Sequence, residues 1–199
     1  MKSILISLIL IVTVATTAVG ATQAYFSDVE TSRGNTFAAS SLDLTIDGVN
    51  TNVVKFTRTG LMPGSQPTGS WTLANAGSIN GFLDIQNITV VSGENGLIEP
   101  EAEAGDTTND VGELQNVLNV RLYFDVDKNN SYSTGDVMFY NGKVGAIPSS
   151  FELDRPIAAG SDVKINAVFD WWTTADDNQA MTDTFELGID FELGQTAAQ

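Results

Sequence analysis

Residues 125 to 136, Asp125-Val126-Asp127-Lys128-Asn129-Asn130-Ser131-Tyr132-Ser133-Thr134-Gly135-Asp136, carry oxygen-bearing side chains in a pattern that suits a hard cation. Asp125, Asp127, Asn129, Ser133 and Asp136 fall at positions 1, 3, 5, 9 and 12 of an EF-hand-type calcium loop, and the Ser131 carbonyl falls at position 7. Donors so spaced can wrap one Ca²⁺ because the chain curls around it. Asn130 stands where glycine usually makes the sharp turn, and Asp136 where a bidentate glutamate is usual. Asparagine tolerates a positive φ, so the first departure is mild. The flanks are strand-like, which predicts a β-hairpin calcium loop with a structural role. The plain alternative is a solvated turn whose Asp and Asn side chains bond to their own backbone. Asn129 also opens a sequon, as does Asn87 in Asn87-Ile88-Thr89, and a glycan on Asn129 would compete with an ion.

The 199 residues hold 25 acidic and 9 basic side chains, a net charge of −16, with no histidine and no cysteine. Without imidazole there is no H-E-x-x-H zinc site and no Ser-His or Cys-His nucleophile. The stretch from Gly93 to Gly112, with Glu94, Glu99, Glu101, Glu103, Asp106 and Asp110, reads as a long surface loop. An all-carboxylate zinc site between Glu94 and Glu113 is conceivable, but no spacing distinguishes it from a solvated face. No carboxylate pair stands out for glycoside hydrolysis either. The expectation is a protein that is not an enzyme and has no organic cofactor. Nucleic acid and anionic membranes would be repelled. No disulfide can form, so stability must come from packing, ions or assembly.

The elements that must hold these residues are short β-rich runs separated by turn signals. Leu42, Leu44 and Ile46 alternate before an Asp47-Gly48 turn, within a run from Thr36 to Ile46. Val53 to Thr59 follows, then the turn Leu61-Met62-Pro63-Gly64. Ser70 to Asn75 is extended; Gly81 to Val91 places Phe82, Ile88 and Val90 on one parity and Leu83 and Ile85 on the other, which implies a register shift or two covered faces. Leu114, Val117 and Leu118 suit a brief helix. Val120 to Phe124, Val137 to Tyr140 and Lys143 to Ile147 read as strands. Val163 to Trp172 alternates as a half-buried strand, which sends Trp171 and Trp172 to opposite faces, one into the core and one toward sugar, a neighbouring subunit or solvent. Thr184 to Leu193 alternates again. The expected fold class is all-β, a jelly-roll-like sandwich of two antiparallel sheets over residues 36–193, with a polar tail at 194–199.

Residues 1–24 read as a secretory signal peptide: Lys2, an apolar run from Ile4 to Val19, then small residues, with the cut between Ala24 and Tyr25. An uncleaved anchor is the alternative, although the run is somewhat short of the ~20 residues a spanning helix needs. A retained pilin-type helix is disfavoured by the short leader. The exposed segment at 25–35 begins with two aromatics, continues in strand-like sequence and suits a polymer-forming arm.

The motifs AYFSD at the cut, NTFAASSLDLTIDG, LMPG and NAGSINGFLDI occur in order over roughly residues 20 to 85. Through them the chain resembles the TasA/camelysin family of secreted, fibre-forming biofilm matrix proteins. That resemblance implies a jelly-roll domain whose freed N-terminal strand completes the sheet of the next subunit. The donor strand would be Tyr25, Phe26, Ser27, Asp28, Val29, Glu30, Thr31, Ser32 and Arg33, with Asp28, Glu30 and Arg33 interrupting its apolar face. Burying Tyr25, Phe26 and Val29 would contribute roughly 5 to 8 kcal/mol before ordering costs. Its partners would be itself, head to tail, a dedicated signal peptidase and neighbouring filaments, in an extracellular filament at the cell surface or in a biofilm matrix. A secreted camelysin-like metalloendopeptidase and a monomeric, calcium-stabilised surface adhesin are the alternative functions.

Overall fold

Alternating strands need a partner layer to cover their apolar faces, and this chain supplies it with two antiparallel sheets packed as a sandwich. A computed structural model describes residues 40–51 and 60–197. The leader, the cut at Ala24 and Tyr25, the arm through Arg33, the run's start at Thr36 and the segment Val53 to Thr59 lie outside them.

The strands are β1 (Leu44–Ile46), β2 (Thr68–Asn75), β3 (Gly81–Gly93), β4 (Asn119–Phe124), β5 (Val137–Lys143), β6 (Phe151–Ile157), β7 (Asp162–Asp170) and β8 (Thr184–Gly194). Two short helices, α1 (Glu99–Glu103) and α2 (Leu114–Val117), lie between β3 and β4. The larger sheet has the order β1-β2-β7-β4-β5 and the smaller β6-β3-β8. The chain crosses between sheets after β2, β3, β5, β6 and β7, so most neighbours in space are distant in sequence.

Local chemistry sets the turns. Asp47 and Gly48 both take positive φ, and Ile46 and Val49 exchange backbone hydrogen bonds across them, a two-residue hairpin turn. Met62-Pro63-Gly64-Ser65 closes with Ser65 N–H donating to the Met62 carbonyl, Gly64 supplying the positive φ.

Between the sheets lie Trp71 and Leu73 of β2, Leu83, Ile85 and Ile88 of β3, Val120 and Leu122 of β4, and Ile165, Ala167 and Phe169 of β7. Leu83 and Ile88 both reach this core because a bulge at Asn87, φ 48°, switches the side-chain parity of β3 midway. That is the register shift anticipated from the mixed parity.

Three expectations are corrected. β7 is not half buried: Asn166, Val168 and Asp170, on its outer face, are also buried, because β7 is central, the β4–β5 loop meets Asn166 through Asp125, and Gln66 and Arg121 bond Asp170 at the other end. The run from Lys143 to Ile147 is not a strand; β5 ends at Lys143 and Val144–Ala146 form a 3-10 turn whose Val144 N–H donates to the Leu118 carbonyl. The third concerns the segment from Gly93 to Gly112, whose side chains are not all on a surface loop. It contains α1, and two of its acids are buried. A strand not anticipated is β6, an edge strand that carries Pro156 where a central strand would not tolerate it. The tryptophan pair divides as expected, Trp171 at 3% exposure and Trp172 at 60%.

Candidate functional site

Residues 125–136 connect β4 to β5 as a hairpin loop, with Phe124 paired to Val137. Carboxylate oxygens of Asp125, Asp127 and Asp136 lie within 4.8 Å of one another. Asn130 takes a φ of 66°, the conformation its place in the loop requires. The oxygens are already engaged by the protein. Asp125 accepts from the Asn129 N–H at 3.0 Å, the Asn130 N–H at 2.9 Å and the Asn166 amide at 2.9 Å, with the Lys164 ammonium 3.5 Å away. Asp136 accepts from the N–H groups of Val126 and Ser133, both at 2.8 Å. Asp127 accepts from the Asn129 amide at 2.7 Å and from the Ser133 hydroxyl at 3.3 Å, while Asn129 Oδ1 accepts from Ser131 N–H at 2.7 Å. Burial alone would raise the Asp125 pKa, but the donors from Asn130, Asn166 and Asn129 outweigh it and hold the carboxyl below its ordinary value. Tyr132 of the loop packs edge-on against buried Tyr123, ring centroids 5.1 Å apart, which covers the end of the outer face where Tyr123 of β4 lies opposite Asn166 of β7.

A second group of acids is built differently. β3 and β8 pair as far as Gly93 opposite Thr184, so the next residues outward, Glu94 and Asp183, meet at the end of the ladder. The chain returns past this point at Gly112, where a Cβ would sit 2.7 Å from the Gly93 carbonyl oxygen and 3.0 Å from Asp183 Cγ. That close approach delivers Glu113, whose N–H donates to Asp183 Oδ2 at 2.5 Å. Oxygens of Glu94, Glu113 and Asp183 lie within 4.8 Å of one another. Glu101 and Asp106 add to the negative field. Glu101 is 0% exposed and spends one oxygen on the Ile98 N–H at the start of α1, 2.8 Å, where Pro100 fixes the first turn. Asp106 is 7% exposed and accepts from Thr108.

Burial, followed by the charges of Asp106, Asp183, Glu94 and Glu101, pushes the Glu113 carboxyl up to about 7. Asp183 is pushed up to about 6, first by burial and then by Glu94 and Glu101, against the lowering effect of the Glu113 N–H. No single spacing in the sequence marks this group, because its members come from β3, α1, the entry to α2 and the entry to β8. The available signals were Gly93 and Gly112 bracketing an acidic segment, and apolar Leu114, Val117 and Leu118 directly after Glu113.

Beside these acids, an apolar groove of about 770 Å³ runs between the sheets along β8, with Asp183 in its wall. Trp71, Phe169 and Trp171 line one side, and Phe185, Leu187 and Ile189, the inward row of β8, line the other. No residue of β8 is fully buried, unlike the inward rows of β2, β4 and β7. β8 is an edge strand among the described residues.

No curated protein sequence matches the chain. A solved structure titled "AvmM Catalyzes Macrocyclization in Alchivemycin A Biosynthesis" aligns over 79% of this chain and 90% of its own at 8% identity, with a TM-score of 0.28. A likeness that shallow informs neither fold nor chemistry. The family comparison is decisive, because the model for camelysin metallo-endopeptidases matches residues 2–199, and the chain belongs to the camelysin family.

Proposed function

We propose that the chain is a structural subunit of secreted, extracellular filaments, joined head to tail when Tyr25 to Arg33 of one copy add as a strand beside β8 of the next. The observation that carries this reading is the edge itself. β8 is an 11-residue strand with no proline, and its inward row Phe185, Leu187 and Ile189 is only half covered above an apolar groove. The other sheet edges are short in β1, interrupted by Pro156 in β6, and carry Asn141-Gly142 in β5. A long, apolar-backed edge is the template that strand addition uses: backbone hydrogen bonds supply affinity and alternate side chains fill the groove. Family membership and the AYFSD motif support the same reading.

The test exploits the absence of cysteine. Chains beginning at Tyr25 and at Gly34 are imaged by negative-stain electron microscopy, and Asp28→Cys and Glu186→Cys variants, both on the outward face when Tyr25 and Val29 fill the groove, are mixed under oxidation. Filaments from the longer form alone, with disulfide-linked pairs in the mixture, are expected. Filaments from both forms would mean the arm is not the joint.

In this proposal the chain is not a peptidase, despite the family's name. A metallo-endopeptidase requires a metal with an open coordination position and a base beside it. The chain offers no imidazole, and its two acid groups supply oxygen only, a donor set that fits a hard cation better than catalytic zinc. Chelator-sensitive cleavage of an unstructured protein substrate, lost on substituting named carboxylates, would establish the opposite. Calcium in the loop from Asp125 to Asp136 belongs to the proposal as a structural ion; the three clustered carboxylates support it, and the loop's own donors compete with it.

A further inference from the structure

We propose that Glu94, Glu113 and Asp183, walled by Glu101 and Asp106, form a site for a hard divalent cation of the calcium class, separate from the hairpin loop. Three observations carry it. First, oxygens on opposite sides of an ion bound at about 2.4 Å stand about 4.8 Å apart, and the oxygens of Glu94, Glu113 and Asp183 all lie within 4.8 Å of one another. One ion can therefore reach all three.

Second, the oxygens lack partners. Both oxygens of Glu94, Glu101 Oε1, Asp106 Oδ2, Glu113 Oε2 and Asp183 Oδ1 are buried with no hydrogen bond. Glu101, Asp106 and Asp183 are more than nine-tenths buried, so water does not substitute freely. Folded proteins pair nearly all such groups, and a set of unpaired carboxylates facing one another asks for positive charge.

Third, the described residues offer no positive charge here. Arg121 pairs with Asp170, Lys128 with Asp162 and Lys164 with Asp125; Lys143 donates to the Val117 carbonyl, and Arg155 lies over the Phe124 ring. An all-oxygen set rich in carboxylates suits calcium, which takes six to eight such ligands, better than magnesium, which keeps several waters, or zinc, which favours nitrogen and sulfur. Bound there, the ion would fasten the segment carrying α1 to the ends of β3 and β8.

The experiment is calorimetric titration of the chelator-treated chain with calcium and, separately, magnesium, with thermal melts of each state. The unaltered chain is expected to bind calcium saturably, more tightly than magnesium, and to melt at higher temperature when loaded. With the hairpin loop's own acids disabled by Asp127→Asn, adding Asp183→Asn should weaken calcium by more than about a hundredfold, beyond the 10–100-fold typical of outer-shell changes. Glu101→Gln keeps the Ile98 hydrogen bond and should weaken calcium about tenfold, so it carries the test if Asp183→Asn fails to fold. Asp127→Asn, in the hairpin loop, should leave this binding intact. The proposal is overturned if the unaltered chain shows no saturable calcium binding, or if Asp127→Asn abolishes the binding while Asp183→Asn and Glu101→Gln do not.

Discussion

Both acid groups bring three carboxylates within 4.8 Å, yet they are chemically opposite. In the β4–β5 loop the backbone, Asn166 and Lys164 answer the carboxylates, and the Asp125 pKa is lowered. Beside Gly93 and Gly112 the acids face one another with oxygens unanswered, and the Glu113 and Asp183 pKa values are raised. Proximity of acids therefore says little about a site. The decisive question is whether the chain supplies the donors itself, because a satisfied carboxylate contributes to the fold while an unsatisfied one needs a proton or an ion.

The comparison can be broken most severely at Asp125. Asp125→Ala leaves the Asn130 N–H without its acceptor and takes one of two from the Asn129 N–H, the Asn166 amide and Lys164, and should cost about 2–4 kcal/mol in chemical denaturation. A cost under about 1 kcal/mol would mean that the loop's hydrogen bonds are not holding the outer face of the sheet. Next comes Gly112→Ala, whose new methyl would press on the Gly93 carbonyl and Asp183, expected to destabilise by about 1–3 kcal/mol and to weaken calcium by displacing Asp183.

The acidic pocket should respond in the opposite sense to loss of charge. Glu113→Gln, measured in chelator at pH 8, is expected to stabilise the protein by about 1–2 kcal/mol after allowing for solvent screening. The sign in pH follows. A glutamate whose folded pKa is raised from 4.5 to about 7 keeps its proton in the folded state where the unfolded chain has lost it. Its contribution is thus present below 4.5 and lost as pH rises toward about 7. Asp125 and Asp177, held low, act the other way: their stabilisation is present above 3.8 and is lost as pH falls through their lower folded values. Thermal melts in chelator should therefore decline from pH 5 to pH 8, and Glu113→Gln should flatten that decline. The smallest effect belongs to Asn130→Gly, where relief of the 66° φ is offset by loss of the Lys164 partner; a change within about 0.5 kcal/mol is expected.

The sandwich was legible because period-two patterns survive in one dimension. Phe185, Leu187, Ile189, Phe191 and Leu193 read as an inward row and are one. The hairpin loop was legible because its oxygen-bearing residues fall within one run of twelve, 125–136. The unanswered acids were not, since Glu94 and Asp183 become neighbours only through the pairing of Gly93 with Thr184, and burial of Glu101 depends on how α1 packs. β6 escaped because Asp154-Arg155-Pro156 looks like a strand breaker, whereas an edge strand can accommodate it. The outer face of β7 reads as exposed until Tyr123, carrying Tyr132, is seen beside Asn166 and the side chains of Gln66 and Arg121 are seen to bond Asp170.

The outward row of β8 sets which strand can lie beside it. Glu186, Asp190 and Glu192 are all exposed on this row. Were two copies to pair these edges antiparallel about a twofold centred on Gly188, Glu186 would lie opposite Asp190; centred on Ile189, Glu186 would lie opposite Glu192. Either twin would set like charges against each other across the ladder, which disfavours it. The acidic outward row therefore discourages a closed, symmetric pairing of two β8 edges, and a strand laid beside it is favoured only in a register that keeps its own acids away from Glu186, Asp190 and Glu192.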